Sequence, residues 1–421
     1  MIKQQQFLGE KTKANFWRVV LEYRQKRKKA LKKQNLDYER FREELYQIKK
    51  SAIENIEKLK TQAIKSLKAN GINVFEAKDA SRARKIISKI LSGKQKIIKA
   101  KTNTLKEIET EGFLADKQLI ETDLGDFIVS FFGTKEGHPV LPAIHLTALE
   151  IAQKIKEKFG QEVEPNPQAI ASFVRNHLRK EISQAQAGIS GANAITAQGQ
   201  IVILENEGNI SLVSRLPETH IVVAGWEKIV PSLWQAFKIV QASAIWGTGQ
   251  DFPVYVSVIS GPSKTADIQN QTIIGAQGAK EVNLILLDNG RSKILKAGFG
   301  ELLYCINCGA CLDFCPVFQQ IGPNYGDKYL GSRGVIFAGL SESLKKALLA
   351  NCFACTLCAL CFQNCPLKID LPEMMKKLRD YMSRENIQTK ENQEMVEKIR
   401  QFGNPFGKIE KGKIPKKLYC C

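Results

Sequence analysis

Apolar residues recur at helical spacing through the first part of the chain. Basic and acidic residues fill the positions between them, and the apolar stripe consists of Leu36, Phe41, Leu45, Ile48, Ile53, Ile56 and Leu59. A stripe of this period is typical of helices that bury one face. We therefore expect a mainly helical region over residues 1–70, which ends near Gly71.

Short apolar runs and helical patterns alternate between residues 71 and 298. The strand-length runs lie at 74–75, 127–129, 201–204, 220–224, 254–259 and 282–287, and the helical patterns lie at 81–91 and 147–159. This alternation predicts an α/β domain with a mainly parallel sheet. Glycine and asparagine cluster after several of the runs, where open α/β sheets place their ligand sites.

Positive charge is concentrated at the N-terminal end. Residues 1–100 contain 27 Lys and Arg against 10 Asp and Glu, whereas the rest of the chain contains 35 against 33. Three interpretations stay open for this basic segment. It is a solvated helical face, a docking surface for an acidic partner or an anionic membrane, or a nucleic-acid contact. No recognised nucleic-acid motif accompanies the charge.

Neither a membrane span nor a signal peptide is evident. No apolar run approaches the roughly 20 residues of a transmembrane helix, and residues 1–6 lack the apolar core of a secretory signal. We therefore expect a cytoplasmic protein.

The chemistry is concentrated in the cysteines, all 11 of which lie at or after Cys305. Residues 305–316 read C-x2-C-x2-C-x3-C-P, and residues 355–366 repeat this pattern. It is the run of bacterial ferredoxins, in which the fourth cysteine ligates the other cluster. Two [4Fe-4S] clusters are therefore predicted. Their ligands are Cys305, Cys308, Cys311 and Cys365 for the first, and Cys315, Cys355, Cys358 and Cys361 for the second.

Structural zinc is the competing interpretation, but it does not account for triple runs that each end in x3-C-P. Cys352 is surplus; it either replaces Cys355 as a ligand or is an idle thiol, which we favour. The segment between the runs is too long for a minimal ferredoxin hairpin. A helical pattern at 341–350 therefore predicts a helical ferredoxin module over residues 299–380, and a polar tail follows over 381–421.

Seven short segments precede the cysteine runs, at residues 121–126, 188–194, 205–209, 216–221, 230–232, 260–262 and 288–292. Together with both runs and residues 366–371, they resemble the lactate-utilisation protein B family of LUD-domain iron–sulfur proteins. The resemblance extends from about residue 95 to residue 380. It implies a LUD domain over 71–298, similar in fold to NagB and the CoA-transferases, followed by the ferredoxin module.

The resemblance also implies a role and partners. The role is that of an electron carrier in the oxidation of L-lactate to pyruvate. The partners are a cysteine-rich, heterodisulfide-reductase-D-like subunit and a short LUD-domain protein. The family usually has serine at the position of Cys355, so the second run is fuller here.

The tail resembles the linker into such a cysteine-rich domain. The residues that carry this likeness are 403–407 and 418–421. We expect either a separate partner polypeptide or a split fusion. Cys420 and Cys421 receive no role.

Other chemically capable residues are scattered. The histidines, which lack zinc-site spacing, are His138, His145, His177 and His220. We expect His220 to be structural. The acidic residues at predicted strand ends are Glu121, Asp123, Glu205, Glu207 and Asp288, and capping or turn roles outweigh acid–base roles for them. No P-loop occurs, and no G-x-G-x-x-G follows a strand.

Three functional hypotheses follow. In the first, the chain is an electron-transfer subunit that leaves the bond-breaking step to its partners. In the second, the α/β domain itself binds and converts a small organic acid or its thioester, with the clusters as redox partners. In the third, residues 1–100 bind nucleic acid.

Overall fold

The structure is a computed structural model that describes residues 7–133, 137–138 and 140–409. Three helices lead the chain: α1 (Glu10–Lys33), α2 (Tyr38–Glu54) and α3 (Ile56–Ala69). The side chain of Asp37 begins α2 by accepting a hydrogen bond from the amide of Arg40. The predicted helical N-terminal region is confirmed, although Leu36 lies in the turn between α1 and α2.

The strands of the described residues form three sheets. In chain order they are β1 (Asn73–Ala77), β2 (Lys96–Lys99), β3 (Gln118–Glu121), β4 (Ala187–Ser190), β5 (Ala194–Thr196), β6 (Ile201–Glu205), β7 (Thr219–Gly225), β8 (Ile229–Val230), β9 (Tyr255–Ile259), β10 (Lys264–Thr265), β11 (Ile273–Ile274) and β12 (Glu281–Leu287). The six-stranded sheet has the order β1-β12-β7-β4-β2-β3, and every neighbouring pair is parallel. The second sheet, β8-β5-β6-β9, pairs β5 with β6 and β6 with β9 antiparallel, and β10 pairs with β11.

The remaining helices flank the sheets or build the cysteine module. They are α4 (Ala80–Ile90), α5 (Asn103–Glu107), α6 (Thr110–Phe113), α7 (Leu124–Phe132), α8 (Ala148–Phe159), α9 (Pro167–Ser183), α10 (Asn209–Arg215), α11 (Leu233–Thr248), α12 (Arg291–Lys296), α13 (Ala310–Asp313), α14 (Pro316–Ile321), α15 (Gly331–Ser341), α16 (Leu344–Leu349), α17 (Leu360–Gln363), α18 (Leu371–Arg384) and α19 (Lys390–Phe402). Across the described ranges, none of the helices combines the length and apolarity that a membrane crossing requires.

The predicted α/β class with a mainly parallel sheet is confirmed, with differences in detail. The prediction of a strand at 127–129 is wrong, because Asp123 accepts a hydrogen bond from the amide of Asp126 and begins α7. On this helix Phe127 and Phe131 lie one turn apart, and both pack against Phe159 of α8. The runs at 201–204 and 254–259 are strands, but they belong to the second sheet.

The region between the two cysteine runs is helical, as expected, but in two pieces. Ser343 caps α16, which begins at Leu344 and covers most of the predicted helix at 341–350. The preceding helix α15 was not predicted. Its first turn contains Gly331, Ser332 and Gly334, which do not favour a helix, and its apolar residues lie on most sides of the helix and not on one face. It is almost entirely buried, and a helix buried all round carries no amphipathic stripe.

The N-terminal helices pack between the α/β domain and the cysteine-rich module that follows it. Helix α1 lies against α11 and α14, and α2 lies against β8 and the 3-10 helix Gly300–Tyr304. Apolar side chains of these helices share one continuous core with both regions, among them Phe16, Val20, Phe41 and Leu45. The basic segment is therefore part of the folded body.

Part of the N-terminal charge is used inside the protein. Arg27 forms a buried ion pair with the carboxylate of Asp313, beside the first cysteine run. Arg42 donates from Nε to the carbonyl oxygen of Cys365 at 2.9 Å. Lys49 donates to the carbonyl of Glu227. These three cations therefore join the N-terminal helices to the cysteine-rich module and to the α/β domain.

Candidate metal centres

The first cysteine run is a tight loop between two short helical elements. The 3-10 helix Gly300–Tyr304 ends at Cys305, and α13 begins at Ala310. Between them Asn307 and Gly309 have φ angles of +59° and +79°. Glycine and asparagine are the residues that adopt this left-handed backbone most readily. The loop therefore turns twice between Cys305 and Cys311.

The second run repeats this backbone with less favourable residues. The 3-10 helix Cys352–Ala354 precedes Cys355, and α17 follows the loop. At the two equivalent left-handed positions stand Leu357 and Ala359, with φ angles of +59° and +62°. Each costs about 1 kcal/mol or more relative to right-handed backbone. Strain of this kind is typical of segments that clamp a ligand.

The predicted ligand sets divide the eight run cysteines into two groups that exchange their last members. We call Cys305, Cys308, Cys311 and Cys365 the inner centre, and Cys315, Cys355, Cys358 and Cys361 the outer centre. Burial, then a thiolate at Cys365, raises the pKa of Cys308. Burial likewise raises the pKa of Cys315 to about 11, and Cys355 raises it further. This is the grouping that crossed ligation requires; the assignment of iron ligands stays a prediction.

The two centres are neighbours. Burial raises the pKa of Cys311 strongly, and charges at Cys305 and Cys308 of its own centre add to this effect. Cys361 of the outer centre contributes as well. The short helices α13 and α17, which carry Cys311 and Cys361, pack on one another.

The donor set fits iron–sulfur clusters better than zinc. All eight cysteines are free thiols. Burial raises the pKa of Cys361 and Cys365 to about 12, so these thiols stay neutral until a metal replaces their protons. Two triple runs that each end in x3-C-P are the pattern of two [4Fe-4S] clusters and not of a four-cysteine zinc site.

Cys352 lies outside both groups. It is fully buried, and its Sγ lies 3.6 Å from Sδ of Met375 in α18. Arg379 donates to the carbonyl oxygens of Cys352 and Cys355, at 2.8 and 2.7 Å. These contacts support the idle-thiol interpretation. Cys420 and Cys421 lie outside the described residues.

Three buried cations surround the inner centre on the side of Cys305. Burial lowers the pKa of Lys49 to about 7 and also lowers that of Lys228, while a Cys305 thiolate acts on both in the opposite direction. Burial acts to lower the pKa of Arg333 as well, but nearby anionic groups raise this pKa overall, and a Cys305 thiolate has the largest effect among them. The Arg333 guanidinium lies 3.5 Å from the ring centroid of Tyr329. The inner centre therefore has a positive electrostatic environment.

The outer centre lies at the surface of the module. Cys358 is exposed, and Phe353 beside this loop is 46% exposed. On the inward side, the hydroxyl groups of Tyr325 and Ser332 are 2.8 Å apart, and Ser332 Oγ lies 3.9 Å from Sγ of Cys355. One edge of the outer centre is thus open to another protein.

Comparison with known protein families matches two separate parts of the chain. Residues 60–287 match the family model of the LUD domain, and residues 301–369 match that of the 4Fe-4S dicluster domain. Lactate utilization protein B of Bacillus cytotoxicus is 33% identical over 352 residues, which are 82% of this chain and 72% of that protein. The chain belongs to the lactate utilization protein B family. Iron–sulfur clusters are therefore its cofactors.

Other members of this family are similarly close. Lactate utilization protein B of Shouchella clausii is 34% identical, over 82% of this chain and 72% of its own length. A protein of Escherichia coli named "Uncharacterized electron transport protein YkgF" is 30% identical, over 85% and 75%. A crystal structure of a DUF162 family protein from Deinococcus radiodurans covers 55% of this chain and 98% of its own. The two chains are 14% identical, and the TM-score is 0.32.

The histidines do not converge on one site. His220 is buried in β7, with Nε2 2.8 Å from the hydroxyl of Ser190 on β4. His138 is buried with Nε2 3.6 Å from the carboxylate of Asp313. His177 packs among phenylalanine rings of the LUD domain, and His145 is partly buried before α8.

Most of the acidic candidates have local structural partners. Glu121 pairs with Lys99, and Asp123 caps α7. The side chain of Glu205 accepts hydrogen bonds from the amide and hydroxyl of Ser211. The side chain of Asp288 accepts hydrogen bonds from the Trp226 indole at 2.8 Å and from Ser292. These contacts account for four of the five acidic residues.

Glu207 accepts one hydrogen bond, from the amide of Leu124 at 3.2 Å, and burial and the neighbouring Asp123 raise its pKa to about 7. Sequence reasoning missed the cations around the inner centre, Lys49, Lys228 and Arg333. They lie far apart along the chain, and no spacing identifies them.

Proposed function

We propose that this chain carries electrons through two [4Fe-4S] clusters during the oxidation of L-lactate to pyruvate by a multi-subunit complex. The observation that carries the proposal is the duplicated C-x2-C-x2-C-x3-C-P run, whose two copies lie side by side through the packing of α13 on α17. The names of the relatives, lactate utilization protein B and electron transport protein YkgF, support the pathway and the role.

In this proposal the inner centre uses Cys305, Cys308, Cys311 and Cys365 as ligands, and the outer centre uses Cys315, Cys355, Cys358 and Cys361. A [4Fe-4S] cluster supplies one-electron redox chemistry when bound. The protein holds the two centres beside each other through α13 and α17, with Cys365 of the inner centre buried and Cys358 of the outer centre exposed. Hydrogen bonds such as that from the Asn307 amide to Cys305 Sγ, at 3.4 Å, tune the potential of the site.

The proposed partners follow the family role. A cysteine-rich, heterodisulfide-reductase-D-like subunit and a short LUD-domain protein would complete the complex in the cytoplasm. The exposed edge at Cys358 is the place where we expect one of them to exchange electrons with the chain. Because Arg27, Arg42 and Lys49 bond within the protein, the N-terminal charge is less available for nucleic acid than its composition suggests.

Anaerobic reconstitution of the full chain tests the cofactor. We expect about eight irons and eight sulfides per chain, and two interacting paramagnetic centres after reduction with dithionite. Zinc in the purified protein, or no more than about four irons after full reconstitution, would contradict the proposal.

Addition of L-lactate and an artificial electron acceptor tests the role. We expect no turnover by the chain alone, and reduction of its clusters by lactate once both partner subunits are present. Turnover by the chain alone would instead support the rival hypothesis of catalysis by the LUD domain. Neighbouring genes that encode the two partners would support the complex.

A further inference from the structure

The loop of the inner centre forms one wall of a cavity of about 300 Å³ in the LUD domain. Ile306, Asn307 and Cys308 supply this wall. Most other walls come from residues that follow the carboxyl ends of strands β2, β4, β6 and β7, and α11 closes one side. The carboxyl edge of the strands is where open α/β sheets bind their ligands. Here that edge faces a metal centre.

Two lysines give the cavity a positive lining. Lys228 is only 9% exposed, and no hydrogen bond or ion pair joins its ammonium group to another described residue. The Nζ atom of Lys101 is also buried without a hydrogen-bond partner, and it lies 3.4 Å from the carboxylate of Asp126. Burying an ammonium group without a hydrogen-bonded anion is unfavourable. Both lysines therefore favour an anion inside the cavity.

Neutral polar groups line the rest of the cavity. The hydroxyl groups of Thr102 and Thr104 lie 2.9 Å apart, and the side chains of Asn193 and Asn209 are close by. Gly191 directly follows β4. A Cβ at this position would lie 2.3 Å from Oγ1 of Thr102, which is too close. The absence of a side chain therefore lets the end of β4 lie next to the threonines that line the cavity.

Three carboxyl groups complete the lining: Asp123, Glu205 and Glu207. Glu205 accepts hydrogen bonds from the amide and hydroxyl of Ser211. Burial raises the pKa of Asp123 and Glu207, the latter to about 7, so both bind a proton more readily than an ordinary carboxyl group. A protonated carboxyl group donates a hydrogen bond to a ligand oxygen instead of repelling an anion, so Asp123 and Glu207 are compatible with an anionic ligand held by the lysines.

We infer that this cavity binds a small organic carboxylate, whose carboxylate group pairs with Lys228 and Lys101 while its other oxygen atoms meet the threonine and asparagine side chains. The volume lies at the lower end of the ~300–1,000 Å³ typical of small-molecule sites. It suits an acid of a few carbons better than a nucleotide or a CoA thioester. The inference deepens the proposed electron-transfer role and rests on it, since the ligand would lie against the loop of the inner centre.

Calorimetric titration of the anaerobic, cluster-loaded full chain tests the inference. We expect L-lactate or pyruvate to bind once per chain, and inorganic phosphate to bind at least about tenfold more weakly. Lys228→Gln should weaken carboxylate binding about tenfold or more, the effect of losing one charged hydrogen bond. Lys101→Gln should also weaken it, and it serves as the second variant if Lys228→Gln does not fold.

Lys376→Gln is the control, because Lys376 is an exposed lysine of α18 that does not line the cavity. It should leave carboxylate affinity within about twofold. A second readout is the electron paramagnetic resonance signal of the reduced inner cluster. Saturating carboxylate should shift this signal in the wild type and not in Lys228→Gln.

Three outcomes overturn the inference: no carboxylate binding by protein that holds both clusters, wild-type affinity in both cavity variants, or phosphate binding as tight as that of the carboxylates. Iron content and dithionite reduction of the same sample test the proposed function separately. A fully loaded, reducible protein that binds no acid would leave electron transfer intact and remove only the ligand site.

Discussion

The inner and outer centres have nearly the same loop backbone but very different surroundings. Both runs place two left-handed residues between their first and third cysteines. At the inner centre Cys365 is buried, and the buried cations Lys49, Lys228 and Arg333 interact electrostatically with Cys305. At the outer centre Cys358 is exposed. The two copies of one motif thus differ in the burial of one cysteine and in the charges near them.

This difference suggests a division of labour. A cluster of the inner centre would meet the cavity of the LUD domain, whereas one of the outer centre would meet a partner protein. Nearby positive charge stabilises the reduced, more negative state of a cluster, so the inner potential should be the higher of the two. Four predictions test the comparison, in order of expected effect.

The largest difference should separate Cys308→Ser from Cys358→Ser. Each substitution should remove about half of the iron, because each removes one ligand of one cluster. Cys308→Ser should also destabilise the fold by on the order of 4 kcal/mol, since metal loss leaves a site in the shared core unsupported. Cys358→Ser should have a clearly smaller effect on the thermal midpoint. Iron analysis and thermal unfolding check both, and equal destabilisation would remove the inner–outer distinction.

The second prediction concerns the attachment of the N-terminal helices to the inner centre. Arg27→Ala should destabilise the protein by about 3 kcal/mol, because it leaves the buried Asp313 carboxylate without its ion-pair partner. The control is Arg384→Ala, which breaks an exposed pair with Asp380 in α18 and should change stability by less than about 1 kcal/mol. Chemical denaturation measures both. A small effect of Arg27→Ala would mean that α1 is not needed for the site.

The third prediction concerns reduction potentials. At pH 6, below the pKa of about 7 to which burial lowers Lys49, Lys49→Gln should lower the potential of the inner cluster by on the order of 50 mV, because it removes a buried charge near Cys305. Lys376→Gln, at an exposed position on α18, should leave both potentials nearly unchanged, since water screens its charge. Redox titration followed by paramagnetic resonance measures the change. An inner potential below the outer one would contradict the electrostatic argument.

The smallest effect is expected for Cys352→Ser. Iron content should be unchanged, because Cys352 contacts Met375 and belongs to neither centre. The stability should fall by about 1 kcal/mol, since a hydroxyl group replaces a buried thiol in an apolar setting. If iron were lost, Cys352 would be a ligand in place of Cys355, and the outer centre would need to be redrawn.

The cysteine pattern alone predicted iron–sulfur clusters, because its spacing is local and its duplication is visible; the division of the eight cysteines between two clusters stays a prediction. The α/β class was also readable from alternating runs, since strands such as β7 and β12 are buried on both faces. The strand at 127–129 was predicted wrongly because a short apolar run looks alike in a strand and in a buried helix. Phe127 belongs to the helical case, and only its packing reveals this.

The surroundings of the centres were beyond sequence reasoning. Lys49, Lys228 and Arg333 come from α2, a 3-10 turn and α15, and only the fold brings them to Cys305. The basic N-terminal segment was interpreted by its net charge. The structure shows that Arg27 and Arg42 bond inward, which composition does not reveal.

The contacts between the first helices and the two cysteine runs have a consequence for biosynthesis. Arg27 and Asp313 are separated by 286 positions, and Arg42 and Cys365 by 323. On the ribosome, α1 and α2 emerge long before the residues that they bind have been translated. The apolar faces of these helices stay exposed until the C-terminal part of the chain has been synthesised. Final folding and cluster insertion should therefore coincide after translation. Chaperones and iron-delivery proteins would then act on the same intermediate.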